Sequence, residues 1–158
     1  MVQLTIISVG ALASHFKDSV AEYEKRLSQF CTVNDINIKE CRIADEDDKT
    51  QIENALSLEG DKILAKIPQG AYKIALCVEG TSPDSVKLAE IIGRASDERG
   101  KICLIIGSSH GLCDKVKNAC DYRLSVSKLT FPHQLMRVIL SEALYRSFAI
   151  INNKKYHK

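Results

Sequence analysis

Residues 105–137 read IIGSSHGLCDKVKNACDYRLSVSKLTFPHQLMR, and the fold turns on them. The stretch opens on the end of an apolar run, Lys101 to Ile106, which reads as a buried strand. A glycine-containing turn follows, Gly107-Ser108-Ser109-His110-Gly111. Leu112 to Ala119 predicts a short helix and Tyr122 to Val126 a second strand. A polar loop, Ser127-Lys128-Leu129-Thr130, then leads to Phe131-Pro132-His133, where a long apolar helix begins and runs to Ile150.

Working back toward the N-terminus, the same alternation repeats. Val2 to Val9 is a β-branched apolar strand closed by Gly10. Ser14 caps a helix whose Phe16, Val20, Tyr23, Leu27 and Phe30 recur at helical spacing. Asn34 to Ile43 alternates as a half-wet strand. The acidic Asp45-Glu46-Asp47-Asp48 reads as a loose surface loop, and Lys49 to Ile67 as an amphipathic helix weakened at Gly60. Tyr72 to Val78 is a strand. Ser82-Pro83-Asp84 starts a helix with a serine cap, and Gly100 stops it. Strands alternating with helices predict an α/β fold with a mainly parallel sheet flanked by helices, in one domain spanning 1–158.

Composition narrows the class. Apolar residues make up 45% and charged residues 27%, ordinary globular values. No apolar run approaches the roughly 18 residues of a membrane span, and the start lacks a signal-peptide pattern, so a cytoplasmic protein with no membrane partner is expected. The six cysteines form no C-x-x-C pair; Cys41, Cys77 and Cys103 sit in strand-like runs. They read as reduced small hydrophobes, with no metal site. The net charge is +2, yet the segment from Arg123 onward carries +6, which suits a polyanionic partner such as nucleic acid.

Gly107 to Gly111 also matches G-x-S-x-G, the nucleophile elbow, with Asp121 and His133 or His157 in triad order. That fold needs more strands than this chain holds, and the pattern arises easily by chance. A second use of the glycines is close approach of backbone to a ligand at the carboxyl edge of a parallel sheet.

Several stretches together resemble the RlmH family of SPOUT methyltransferases. They are Val9-Gly10, Glu22-Tyr23-x-x-Arg26-Leu27, Glu59-Gly60 with Ile63-Leu64-Ala65, and Ala75-Leu76 before Gly80. Ile106-Gly107-x-x-x-Gly111-Leu112 and Leu124-Ser125-x-Ser127-x-Leu129-Thr130-x-Pro132-His133 follow, then Arg137-Val138, Leu144-Tyr145-Arg146 and Tyr156-His157-Lys158. The resemblance implies a C-terminal trefoil knot, a homodimer, and S-adenosylmethionine as methyl donor. The implied reaction is methylation of N3 of a pseudouridine in 23S rRNA on the assembled ribosome. A non-enzymatic ribosome- or RNA-binding module of the same fold is the alternative. The implied cofactor contacts are Leu76, Gly107, Val126, Ser127, Lys128, Leu129, Thr130 and Phe131. This chain has Ser108 where the family commonly has a second glycine, so its Cβ is expected to crowd the cofactor or alter the turn.

N3 must lose its proton before it can attack a methyl group, which asks for a general base or a stabilising cation. His133 and His157 are the residue types for that, and Tyr156 offers a ring to stack on a base; these three form the catalytic expectation. Arg137, Lys154, Lys155 and Lys158 are the expected RNA-binding residues, on backbone phosphates.

Overall fold

The computed structural model describes residues 1–156. Five strands form one sheet: β1 (Val2–Val9), β2 (Cys31–Ile38), β3 (Tyr72–Thr81), β4 (Lys101–Ile106) and β5 (Tyr122–Leu124). Their order is β2-β1-β4-β3-β5, and every pairing is parallel. The helices are α1 (Ser14–Leu27), α2 (Lys49–Lys66), α3 (Ser85–Arg99), α4 (Asp114–Ala119) and α5 (His133–Ile151).

Strand periodicity sorts the side chains into two cores. Leu4, Ile6, Ile102 and Leu104 face Leu27, Leu88, Ile92, Leu140, Leu144 and Phe148 of α1, α3 and α5. Their neighbours Ile7, Cys103 and Ile105 face Ile63 and Val116 of α2 and α4. A strand residue and its successor point to opposite faces, so a continuous apolar run such as KICLII suits a strand covered on both sides. Each fully buried Leu or Ile here contributes about 1.5–3 kcal/mol.

Several element ends differ from the sequence reading. β2 begins at Cys31, three residues early, because it pairs along the whole of β1 from Val2↔Cys31 to Val9↔Ile38. Cys41 therefore lies beyond the strand, and all six cysteines are free thiols. Ser14 is the first residue of α1 and not its cap; Ala13 holds that position without a side-chain bond. The α3 cap is Asp84 rather than Ser82, its carboxylate accepting from Lys87 N at 2.7 Å. The acidic loop ends in a cap too: Asp48 Oδ1 accepts from Thr50 N and Gln51 N. α4 starts two residues late, and β5 stops at Leu124. Gly100 ends α3 as expected, in the left-handed region at φ 65° that glycine enters freely.

Gly60 is a point of close packing. A Cβ there would collide with Cys113 Sγ and sit 3.1 Å from Lys115 Cε and 3.2 Å from Val116 Cγ2. The missing side chain lets α2 lie directly on the segment that follows the glycine turn.

Candidate active site

In a parallel sheet all carboxyl ends share one edge, and ligands bind where neighbouring connections leave in opposite directions. Here β1 connects toward β2 at one side of the sheet and β4 connects toward β5 at the other. Three strand ends meet at the latter side. β3 supplies Leu76 to Glu79, β4 supplies Gly107 to Leu112, and the chain after β5 supplies Ser125 to Ser127 and Leu129 to Phe131. Together they line a cleft of about 300 Å³, with His133 and Met136 of α5 at its wall.

Of the eight expected contact residues, seven line this cleft: Leu76, Gly107, Val126, Ser127, Leu129, Thr130 and Phe131. Lys128 is exposed and is not among the lining residues. The loop after β5 is shaped from within: Ser125 Oγ donates to Ser127 O at 2.9 Å, and Ser127 Oγ accepts from Leu129 N at 3.0 Å. That turn leaves Leu129 70% exposed, and Val78 across the cleft is 66% exposed.

Gly107 is needed for a reason different from space for a ligand. A Cβ on it would run into the Gly111 carbonyl and touch Leu112 Cγ at 3.0 Å, so only glycine lets the turn close on itself. Ser108 and Gly111 form a β-bridge, Gly111 N donating to Ser108 O at 2.9 Å, with Gly111 at φ +87°. Ser108 is buried and is among the residues that line the cleft.

The sequence reading missed Glu79 and Lys117, which face each other on the cleft wall at 2.6 Å. The hydrogen bond from Lys117 holds the Glu79 carboxyl below its ordinary value. An acid directly after an apolar strand was the available signal; its lysine partner could not be paired with it from spacing.

His133 opens α5. Its Nε2 lies 3.2 Å from where a Gly10 Cβ would stand, with Glu40 Oε2 close to the same point. Its neighbour Gln134 accepts from Ala13 N at 2.6 Å, tying the helix start to the loop after β1.

Arg137 corrects an expectation. It is 1% exposed, so it cannot reach RNA phosphates. Its NH2 group pairs with Glu24 Oε1 at 2.8 Å and Asp35 Oδ2 at 3.2 Å, and NH1 donates to Ser141 Oγ at 2.6 Å. The helix phase explains this: Arg137 shares its face with Leu140, Ser141, Leu144 and Phe148, the face turned inward. Burial raises the Glu24 carboxyl and Asp35 raises it further, against the lowering pull of Arg137.

The tail sits elsewhere. α5 has 19 residues, so its end lies about 28 Å from its start. Exposed Lys154 and Lys155 therefore stand far from the cleft of their own chain. Tyr156 donates to Glu142 Oε1 at 3.3 Å, packs edge-on to Tyr145, and carries Arg146 over its ring at 4.9 Å. The tail packs back on α5 among the described residues. His157 and Lys158 lie outside them.

The hydrolase pattern is not assembled. Asp121 stands at the amino end of β5, where its carboxylate accepts from Lys73 N at 2.8 Å, while Ser109 is at the carboxyl edge of the sheet. Among the described residues no cluster could hold a metal ion, and no helix is long and apolar enough to cross a membrane.

A family model described as predicted SPOUT methyltransferase matches residues 2–157. The ribosomal RNA large subunit methyltransferase H of Caldicellulosiruptor bescii is 43% identical over 156 residues, covering 98% of this chain and 99% of that protein. The protein of that name from Finegoldia magna is 43% identical over 157 residues, with the same coverage. A solved structure of a probable methyltransferase from Bordetella pertussis Tohama I is similar with a TM-score of 0.58 at 14% identity, covering 92% of this chain and 93% of that one, a likeness of fold. The chain therefore belongs to the SPOUT methyltransferases and, among them, to the ribosomal RNA large subunit methyltransferase H family. Its chemistry is methyl transfer.

Proposed function

We propose that this methyltransferase uses S-adenosylmethionine to methylate N3 of a pseudouridine in 23S rRNA on the assembled ribosome. The observation that carries the reading is the cleft of three strand-end loops, in a chain whose relatives are named for methylation of large-subunit ribosomal RNA. The residues present fit such a cofactor. Leu76, Val126 and Leu129 offer apolar surface to an adenine, and Ser127 and Thr130 offer polar groups around it. At about 300 Å³ the cleft is at the small end of ligand sites, which suits a cofactor bound bent. When bound, S-adenosylmethionine supplies a methyl group on a positively charged sulfur.

Positioning dominates an in-line displacement, and the loops supply it. His133 at the cleft wall is the residue we assign to take the N3 proton on its imidazole. With S-adenosylmethionine held by the three loops, the role of this chain's residues would be to free the N3 electron pair and aim it at the methyl carbon that the cofactor would supply. Lys128, Lys154 and Lys155 are exposed cations available to phosphates. Tyr156, His157 and Lys158 complete the RNA-side group.

The working unit in this reading is a homodimer. Leu135, Val138 and Ile139 of α5 remain only half-buried, and Leu129 and Val78 stand exposed at the cleft mouth. A two-fold axis across α5 would bring the tail of one subunit toward the cleft of the other. A knot in the C-terminal part fits the β3–β5 pairing. Leu124 pairs with both Leu76 and Thr81, so residues 77–80 arch past the end of β5, and Gly80 lies against the Arg123 carbonyl.

The test is incubation of the protein with labelled S-adenosylmethionine and ribosomes lacking the modification, followed by mapping. Label on N3 of one large-subunit pseudouridine is expected. Label confined to small-subunit RNA, to transfer RNA or to protein would overturn the substrate reading.

A further inference from the structure

Glu79 and Lys117 form an ion pair on the cleft wall that neither the adenine contacts nor the proton transfer uses. Lys117 Nζ donates to Glu79 Oε1 at 2.6 Å. Among the described residues that line the cleft, Glu79 is the one carboxylate and Lys117 the one ammonium. A pair with a half-exposed member adds little to stability, so its place on the wall asks for another reason. The strand shows how Glu79 comes to be there. Residues three apart in a regular strand point to opposite faces, so Leu76 and Glu79 would not share a wall. The register shift between Leu76 and Thr81 breaks that alternation, and both residues line the cleft. Irregularities of this kind re-aim side chains beside active sites. Lys117 is anchored from behind. Its neighbour Val116 is fully buried against α2, and the Lys117 side chain is itself 17% exposed while that of Glu79 is 54% exposed. Lys117 thus holds one carboxylate oxygen, and no other side chain donates to Glu79 among the described residues. That hydrogen bond, with the backbone N–H of Glu79 itself, keeps the carboxyl below its ordinary value, so at neutral pH it is ionised and can only accept.

We propose that Glu79 is a specificity residue for the sugar of the cofactor: its carboxylate accepts from the ribose hydroxyls of S-adenosylmethionine, and Lys117 is the positioning residue that holds it in place. The partner of an ionised carboxylate must donate, and a vicinal diol offers two donors side by side. Leu76, which offers its surface to the adenine, is three residues away on the same strand. That is about 10 Å at full extension and less across an arch, the reach at which a sugar joined to that adenine would lie. Parallel α/β sheets that bind dinucleotides use an acid for the ribose hydroxyl in the same way. A carboxylate held in advance by Lys117 loses less freedom when the diol arrives. The inference rests on the reading of the cleft as the S-adenosylmethionine site.

A cycle of protein and ligand changes tests it. S-adenosylmethionine, adenosine and 2′,3′-dideoxyadenosine are titrated by calorimetry into wild type, Glu79→Ala, Glu79→Gln and Lys117→Met, each shown folded by its thermal melt. Wild type should bind adenosine about tenfold more tightly than the dideoxy analogue. Glu79→Ala should lose most of that preference, weakening adenosine and S-adenosylmethionine by about tenfold and leaving the dideoxy analogue within about twofold. Lys117→Met keeps the carboxylate without its anchor and should narrow the preference by about threefold. A merely structural pair would weaken all three ligands alike when Glu79 is removed. A carboxylate that reads the ammonium of the cofactor would weaken S-adenosylmethionine and spare adenosine. Either result, or a wild type without the preference, overturns the assignment. If Glu79→Ala does not fold, Glu79→Gln decides: it keeps the size and loses the charge, so the preference should shrink by about threefold, and an unchanged preference overturns the proposal. Wild-type protein that does not bind S-adenosylmethionine would instead overturn the cofactor reading.

Discussion

The carboxyl edge of the sheet has two halves, and they are built differently. At β1 and β2 the edge is sewn shut: Gly10 N donates to Ile38 O, Asn37 Nδ2 donates to Gly10 O, and Gln134 accepts from Ala13 N. At β3, β4 and β5 the edge is left open, with a tight glycine turn, a serine-shaped loop, and exposed Leu129 and Val78 around a cleft. Both halves are strand ends of one parallel sheet, so position alone does not make a site. The difference lies in what the polar contacts join: at the closed half they tie one strand end to its neighbour and to α5, while at the open half they shape each loop from within or pair on the wall and leave a cleft between the loops. His133 belongs to both halves, with its imidazole near Gly10 and Glu40 and its helix start on the cleft wall.

The largest break in this contrast should come from Gly107→Val. Its Cβ meets the Gly111 carbonyl, so the turn must open. Overpacking of this kind costs about 1–3 kcal/mol, and affinity for S-adenosylmethionine should fall by about 5- to 150-fold. Titration of the folded variant checks it; unchanged affinity would mean that the turn is not part of the site.

Arg137→Ala comes next, and it should act on stability. Stripping the cation leaves Glu24 and Asp35 without their shared partner, at a cost of about 3 kcal/mol, the low end for buried pairs because both carboxylates reach solvent. Chemical denaturation reads the loss. A stability change within about 0.5 kcal/mol, the range of surface substitutions, would mean that the network is dispensable.

Replacing Lys154 and Lys155 together by Ala should leave the melt and the cofactor titration alone while weakening ribosome methylation. The salt dependence of binding should become shallower by up to about 0.9 in log–log slope for each phosphate that is no longer neutralised. An unchanged slope would remove these lysines from the RNA-side group. Ser109→Ala should change methyl transfer by only a few fold, and an esterase activity that disappears in it would restore the hydrolase reading.

These tests also mark what could be read in the sequence. The central strand KICLII, the stop of α3 at Gly100, and the loop after β5 were legible because each depends on near neighbours: an apolar run, a left-handed glycine, a polar stretch before a helix. Seven cleft residues followed from that loop and the family likeness. Arg137 was not legible. A lone cation in a helix reads as surface, and its partners stand far off in the chain, Glu24 in α1 at 113 residues and Asp35 on β2, where only the folded sheet brings them close. The place of Tyr156 was not legible either: it packs back on Glu142 and Tyr145, a contact that no spacing in the sequence announces. The start of β2 was hidden because pairing with β1, a long-range interaction, sets it.

The smallest expected effect concerns pH. Burial raises the Glu59 carboxyl, with Glu40 adding to the rise and Cys41 N–H, Ser108 and His110 opposing it. A raised carboxyl binds its proton more tightly in the folded state. Its stabilising contribution is therefore full below the ordinary carboxylate value and is lost as pH climbs through the raised one. Glu59→Gln lacks this loss, so its stability relative to wild type should improve between about pH 4 and about pH 7. Denaturation midpoints at both values check the sign.

The contrast between the two halves is tested most directly by hydrogen exchange with and without S-adenosylmethionine. Amide protection should rise in residues 76–79, 107–112 and 125–131, and stay unchanged in 10–13 and 37–40. Protection gained at the β1 and β2 end, or none at the three loops, would contradict the assignment of the open half as the cofactor site.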